Sequence, residues 1–275
     1  MKDMTVYGIL SLVLVGLTAP AAMAEILVAP TRVVMENGER TKELVLVNKG
    51  TETAAYRISL QNRRMLLDGS MEDAQETLPG ESFASDFIRY APRRVILEPG
   101  AKQTIRISAR TNDLDEGEYR SHLRLQSAPM SAGRTLQSTS LDGEADGISI
   151  QLIAIRSITI PVIARVGKLE ASVDMPAVEI DASTNPDESL LVVKLKREGS
   201  RSVFGDIHVY ADDVKDPVFI ARGIAVYTPI KERDVVLAIP NSVRRALKGR
   251  DVRIAYISAD PKAPKQLAEL RTTIS

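Results

Sequence analysis

The chain contains no cysteine and no tryptophan, and only two of its 275 residues are histidine. Without thiols there can be no disulfide, no thiolate metal site and no cysteine nucleophile, although an exported domain with an adequate core can dispense with disulfides. Aromatic residues make up 4 % of the chain, too few to favour the ring platforms that stack sugars or bases. Lys plus Arg and Asp plus Glu each number 36, so no overall field draws the chain to nucleic acid or to a membrane surface. A Gly-x-Ser-x-Gly elbow, a phosphate-cradling glycine loop and a His-Glu-x-x-His pair are also missing. His122 and His208 fall in alternating stretches, where a core or surface role is usual. The acidic clusters Asp113, Asp115, Glu116, Glu118 and Asp142, Glu144, Asp146 lack the spacing of a calcium loop. The chain reads as a non-enzyme without cofactor or metal, whose partners are chosen by shape and local chemistry.

Hydrophobic residues make up 44 %, as in folded globular proteins. The first 24 residues, MKDMTVYGILSLVLVGLTAPAAMA, run from a basic Lys2 through an apolar core to small residues ending in Ala24. That is the pattern of a secretory signal peptide, with an apolar core shorter than the roughly 20 residues of a membrane span. Cleavage after Ala24 is expected; a retained anchor is the alternative. No later segment is long and charge-free enough to span a bilayer, because Arg156 interrupts the most apolar one. The mature chain is therefore expected to be exported and soluble, without membrane insertion.

From Glu25 onward short apolar runs alternate with period two, as in KELVLVN, TIRISAR, YRSHLRLQ, LLVVKLK and DVRIAYIS, and clusters of Gly, Pro, Asn and Asp separate them. This rhythm predicts antiparallel β-sandwiches. One helical turn is expected at NSVRRALKG, with Asn241 or Ser242 as cap and Gly249 as terminator. The segment VGKL at Val166–Leu169 divides the strands into two sets, each the size of one sandwich. The expected organisation is all-β: a signal peptide over 1–24, then two immunoglobulin-like β-sandwich domains in tandem, 25–166 and 167–275, joined by a short linker.

The most apolar stretch of the mature chain is ISIQLIAIRSITIPVIAR, residues 148–165, which follows the polar segment MSAGRTLQSTSLDGEADG. One reading is a central core strand buried on both faces, for which a near-continuous apolar run is normal. The other is an edge strand kept for a partner: Ser149 and Gln151 argue against burial of both faces, and an uncovered oily edge is an aggregation hazard.

Three segments carry a resemblance. VAPTRVVMENGERTKELVLVNKGTETAAYRISL, then YAPRRVILEPGAKQTIRISAR with its Leu97–Lys102 turn and Arg106, and then EGEYRSHLRLQSAP with the strand ending IPVIAR together resemble the first domain of periplasmic pilus-assembly chaperones of the chaperone–usher type. The likeness covers about residues 26–165; the second half matches only in length and strand content. It implies a chaperone that holds pilus or fimbrial subunits by donating a strand to each one's incomplete fold, and that delivers them to an outer-membrane usher. The donated face would be Ile148, Ile150, Leu152 and Ala154, since strand addition draws affinity from main-chain bonds and specificity from alternate side chains.

The resemblance further implies a basic pair that binds the subunit's C-terminal carboxylate. Arg32 stands at one of its positions. Thr159 stands where the other member, a lysine, is expected; Arg156 is a possible substitute of opposite strand parity. Glu118 and Arg165 match an ion-pair network at the domain junction, for which no acidic partner from the second domain is recognisable. The competing reading is a secreted two-domain structural or adhesive component of a surface assembly.

Overall fold

The computed structural model describes residues 25–128, 155–182, 185–212, 214–260 and 264–274. The signal-peptide segment 1–24 and the donor positions Ile148, Ile150, Leu152 and Ala154 lie outside the described residues. What is described is almost entirely strand, arranged as two β-sandwiches in tandem.

The first sandwich packs two antiparallel-rich sheets face to face. One has the order β1 (Ile26–Ala29), β3 (Thr41–Asn48), β9 (Lys102–Ala109), β7 (Ile88–Ala91). The other has the order β2 (Val33–Met35), β11 (Ser157–Val166), β10 (Gly117–Ala128), β4 (Ala54–Gln61), β8 (Arg94–Leu97). Alternation sends every second side chain inward. Leu44, Leu46, Ile105 and Ile107 from one sheet thus meet Ile58, Leu123, Leu125, Ile160 and Val162 from the other, all buried. The second half of the oily stretch, as β11, pairs with β10 from Gly117↔Val166 to Gln126↔Ser157 and turns Ile160 and Val162 into this core. The Pro99-Gly100 turn is tied to the end of β3 by the buried Asn48, whose Nδ2 donates to the Leu97 carbonyl at 3.0 Å while its own carbonyl accepts from the Gly100 N–H at 2.9 Å. That acceptor is the Asn48 backbone carbonyl; the side-chain Oδ1 accepts from the Gly50 N–H at 3.0 Å, so the buried amide is satisfied on both sides, as burial demands.

A hairpin, β5 (Arg63–Met65) and β6 (Met71–Asp73), projects from the end of β4. β11 then leads through a four-residue link to the second sandwich. Gly167 in that link has φ +81°, a region costly for residues with a Cβ, and a Cβ there would collide with the Glu116 carboxylate.

The second sandwich has a three-stranded sheet, β12 (Ala171–Ala182), β13 (Glu188–Gly199), β16 (Glu232–Pro240), against a four-stranded sheet, β15 (Phe219–Val226), β14 (Val203–Ala211), β17 (Asp251–Ser258), β18 (Gln266–Thr273). Leu191, Val193 and Leu195 of β13 face Ile207, Val209, Ile254 and Tyr256. One helix, α1 (Asn241–Leu247), bridges β16 and β17. Its N-cap is Pro240 with no side-chain cap bond, which corrects the expected Asn241 or Ser242 cap. The Asn241 amide is drawn away to the strand side, donating to the Pro186 carbonyl at 2.7 Å and accepting from Ser189 Oγ at 2.9 Å. Lys248 ends the helix, and Gly249 follows with positive φ.

Candidate functional site at the domain junction and the edge of β11

Glu118 and Arg165 are directly opposite in the β10–β11 register, and Arg165 Nε donates to Glu118 Oε2 at 3.0 Å. The Glu118 side chain is 0 % exposed. Its charge is stabilised from the second sandwich by the Ser202 N–H at 3.0 Å, Ser202 Oγ at 2.9 Å and Thr228 Oγ1 at 3.4 Å. Arg165 also donates to Glu36 at 2.9 Å and to the Ser202 carbonyl at 3.3 Å. The second sandwich thus contributes a backbone amide and two hydroxyls to the network where an acid was sought. Ser202 and Thr228 carry no pattern in sequence that could have marked them.

Around this network a third buried cluster joins the two sandwiches. Met65 of the hairpin and Ile163 of β11 pack with Ala225 and Tyr227 of the second sandwich. The hairpin tip reaches further: the Leu67 carbonyl accepts from the Asp234 N–H at 2.9 Å.

Arg32 precedes β2 and faces away from the core. Its guanidinium donates to the Tyr227 hydroxyl at 2.9 Å and lies 3.8 Å from the centre of the Phe204 ring. Arg120 lies 4.2 Å from the Tyr227 ring centre and donates to the carbonyls of Thr228 and Arg63. Burial lowers the pKa of both arginines, and only partly do Tyr227 and Glu118 counteract it; an arginine so shifted still holds its proton. The buried Nε atoms of Arg32 and Arg120 have no partner. His122, edge-on to Tyr227, is pushed down to about 3 by its burial and by the charges of Arg120, Arg63 and Arg32. It is a neutral imidazole in a cationic neighbourhood. Beside these groups a cleft of about 730 Å³ opens between the sandwiches, lined among others by Arg32, Lys42, Arg165, Arg201, Phe204 and Lys265. Glu36, Glu39 and Asp260 line it too, and Lys42 is paired with Glu39 and Arg165 with Glu36 and Glu118; the group in it suited to a carboxylate is the planar guanidinium fork of Arg32.

The strand register places the remaining candidates. β2 runs parallel to β11 with Val33 beside Val162, so Arg32 falls beside Pro161, two residues from Thr159 and on the same face. Directly across from Thr159 on β10 is Arg124, whose Nε donates to Ser157 Oγ at 2.8 Å. Arg156 is exposed just before β11 and exchanges hydrogen bonds with Ser127 through its backbone. The basic side chain directly across from Thr159 is therefore Arg124, from the neighbouring strand. Reading β11 alone could not reveal it, because register is a property of two strands.

β2 pairs with β11 only from Val162 to Ala164. From Ser157 to Pro161 β11 is paired with β10 on one side, and among the described residues no strand lies along its other side. The preceding Ile155 is 57 % exposed. An open edge of this kind can accept another strand.

Among the described residues no three His, Asp or Glu side chains are placed to hold a metal, and no helix is long and apolar enough to cross a membrane. No family model matches the chain, and no curated protein matches it in sequence. Solved structures similar to it include a chain of the CsuC–CsuE chaperone–tip adhesion subunit pre-assembly complex from the archaic chaperone-usher Csu pili of Acinetobacter baumannii, 14 % identical over 92 % of this chain and 100 % of that one, with a TM-score of 0.48. Similar too is the CupB2 chaperone of Pseudomonas aeruginosa, 14 % identical over 90 % of this chain and 100 % of that one, TM-score 0.46. A chain of the SafA pilin–SafB chaperone complex of Salmonella enterica is 12 % identical, over 92 % and 98 % of the two chains, TM-score 0.45.

Proposed function

We propose that this chain is a non-enzymatic periplasmic chaperone for pilus or fimbrial subunits, exported by a signal peptide over residues 1–24 and built of domains 25–166 and 167–275, that holds each subunit by strand addition and hands it to an outer-membrane usher. The observation that carries the reading is the edge of β11 that, among the described residues, has no neighbouring strand from Ser157 to Pro161. Immediately upstream in sequence come Ile148, Ile150, Leu152 and Ala154, which share the even parity of the core-facing Ile158, Ile160 and Val162. Each of the three larger ones, buried in a subunit groove, contributes on the order of 1.5–3 kcal/mol. Subunit folding supplies the driving force, so no cofactor or nucleotide is needed.

Carboxylate binding in the cleft belongs to the same proposal. Arg32 supplies one guanidinium at the cleft, and Arg124, outside the cleft lining but directly across from Thr159, stands on the right face for a second cation where Arg156 does not. The experiment is co-expression with the pilin-like protein encoded beside this gene. A 1:1 periplasmic complex is expected, lost in the I150D/L152D double variant. A complex that survives those two changes refutes strand donation, and recovery of the chain in extracellular polymers favours the structural or adhesive reading instead.

A further inference from the structure

The sheet that contains β11 turns its inner face to the core and its outer face partly to the second sandwich. The junction end of the outer face, with Arg32, Ile163 and Arg120, is covered. The opposite end is not. There β8, β4 and β10 present Arg94, Arg57 and Arg124, and Ser59, Gln126, Ser157 and Thr159 lie between and beside them. Within the five strands the one carboxylate on this face is Glu118, at the covered end, where Glu36 just after β2 also bonds Arg165. Arg57 and Arg94 are directly opposite one another in the β4–β8 ladder, and both are exposed. Arg124 is diagonal to Arg57, since Ser59 pairs with Arg124 and Arg57 with Gln126. Like charges opposite each other in a ladder destabilise it, and the diagonal distance is still within reach of long side chains. Among the described residues neither Arg57 nor Arg94 is in an ion pair, whereas exposed cations elsewhere, such as Lys194 with Asp234 and Lys196 with Glu232 in the second sandwich, sit opposite acids across a strand pair. Three arginines in a row, without counter-charge among the described residues and beside an exposed Ile96, form a surface poised for carboxylates.

We propose that the Arg57–Arg94–Arg124 row is a docking surface for an acidic protein face, namely a carboxylate-rich patch on the bound subunit next to its added strand. The identity of the occupant rests on the chaperone reading; the surface and its chemistry do not. Because the row lies on the sheet that ends in the open edge of β11, a subunit paired there brings its neighbouring surface over the arginines. Exposed ionic contacts of this kind act over a Debye length of about 8 Å at 0.15 M salt and much further at 0.01 M, so the row guides approach and orientation before the strands pair.

The test is the binding of a fluorescently labelled dodecaglutamate peptide to the full mature chain, followed by anisotropy at 10 and 150 mM NaCl. The wild type should bind more weakly at the higher salt. The variant R57Q/R94Q should lose about tenfold at 10 mM, a loss that shrinks at 150 mM. The control R244Q/R245Q removes two exposed arginines from α1 and should bind as the wild type does. Equal affinity of R57Q/R94Q and wild type overturns the proposal, as does an equal loss in R244Q/R245Q, which would reduce the effect to net charge. Vesicles containing phosphatidylglycerol, if they bind through the same two arginines when the peptide does not, overturn it in favour of a lipid surface. In the co-expression experiment, R57Q/R94Q should lower the yield of the subunit complex at low salt. Failure of the wild type to form any complex counts against the chaperone reading alone, and the peptide titration then decides the surface independently.

Discussion

Replacing Glu118 by alanine should loosen the two sandwiches from each other, and its cost can be worked from the bonds the carboxylate makes. Three donors lie within 3.0 Å: Arg165 Nε, the Ser202 N–H and Ser202 Oγ. Hydrogen bonds to a charged group are worth about 1.5–3 kcal/mol each, but the three are not additive. Arg165 keeps Glu36 and the Ser202 carbonyl, and deletion removes the desolvation cost of the carboxylate. The Ser202 N–H fares worse, because Ser202 is 3 % exposed and its amide is left buried without an acceptor. Breaking one member of a buried, hydrogen-bonded pair costs about 3–5 kcal/mol, and that range is the expectation for E118A. For a chain of this size about 1 kcal/mol lowers Tm by roughly 2–4 °C, so calorimetry should show a fall of roughly 6–20 °C. E118Q can keep its carbonyl oxygen at the Oε2 place shared by Arg165 and Ser202 and turn its NH2 toward the Thr228 hydroxyl; it loses the charge but not the acceptor, and should fall between wild type and E118A. A loss below about 1 kcal/mol in E118A would refute the reasoning, since the bonds to Ser202 and Arg165 would then merely cancel the cost of burying the charge.

Two further changes probe the same junction. His122 takes up no proton in the folded chain until about pH 3, whereas the unfolded chain does so near 6.5; the unfolded state therefore binds more protons between those values, and stability falls on acidification by about 1.4 kcal/mol per pH unit. Between pH 6.5 and 5, above the range where carboxylates add their own losses, H122Q should remove about 2 kcal/mol of that decline in urea unfolding, and parallel wild-type and variant profiles would contradict it. Gly69, at the hairpin tip, has φ +84°, and a Cβ there would meet the Arg233 guanidinium, itself bonded to the Ala225 carbonyl; G69A should cost about 1–3 kcal/mol and speed hydrogen exchange at the Asp234 amide, with unchanged exchange and Tm as the contrary result.

How much of this was legible in the chain follows from the range of each interaction. Strand alternation is local, so TIRISAR could be read as a strand with Ile105 and Ile107 inward, and both are fully buried. Thr159 and Pro161 alternating with Ile158, Ile160 and Val162 likewise mark a strand with one face inward, and Ile160 and Val162 are buried; the first half of the oily stretch lies outside the described residues. The α1 cap was misread because Asn241 was judged against its own helix, and its amide is satisfied by Pro186 and Ser189, more than 50 residues away in sequence. Ser202, Phe204, Thr228 and Tyr227 were invisible for the same reason. They act only once two sandwiches meet, and nothing in a strand's own periodicity records what packs against its outer face. Arg124 stands opposite Thr159 through a register that neither strand specifies alone.

That register bears on how the open edge works. A one-residue slip of a paired strand exchanges its faces completely, so an edge that accepts another strand needs a support that cannot slip. β11 has this support at its C-terminal end. There Val162 to Ala164 are paired on both sides, Ile163 is buried against Tyr227 and Met65, and Arg165 is held by Glu118, Glu36 and Ser202. At its N-terminal end it has, among the described residues, one neighbour and one open side. The strand is thus clamped where the domains meet and exposed where they part. The ion-pair network at the junction, weak evidence for stability in itself, does its work by fixing which side chains of β11 face which way. An incoming strand would inherit its register from a position more than ten residues away, and loosening Glu118 should blur pairing along an edge that Glu118 never touches.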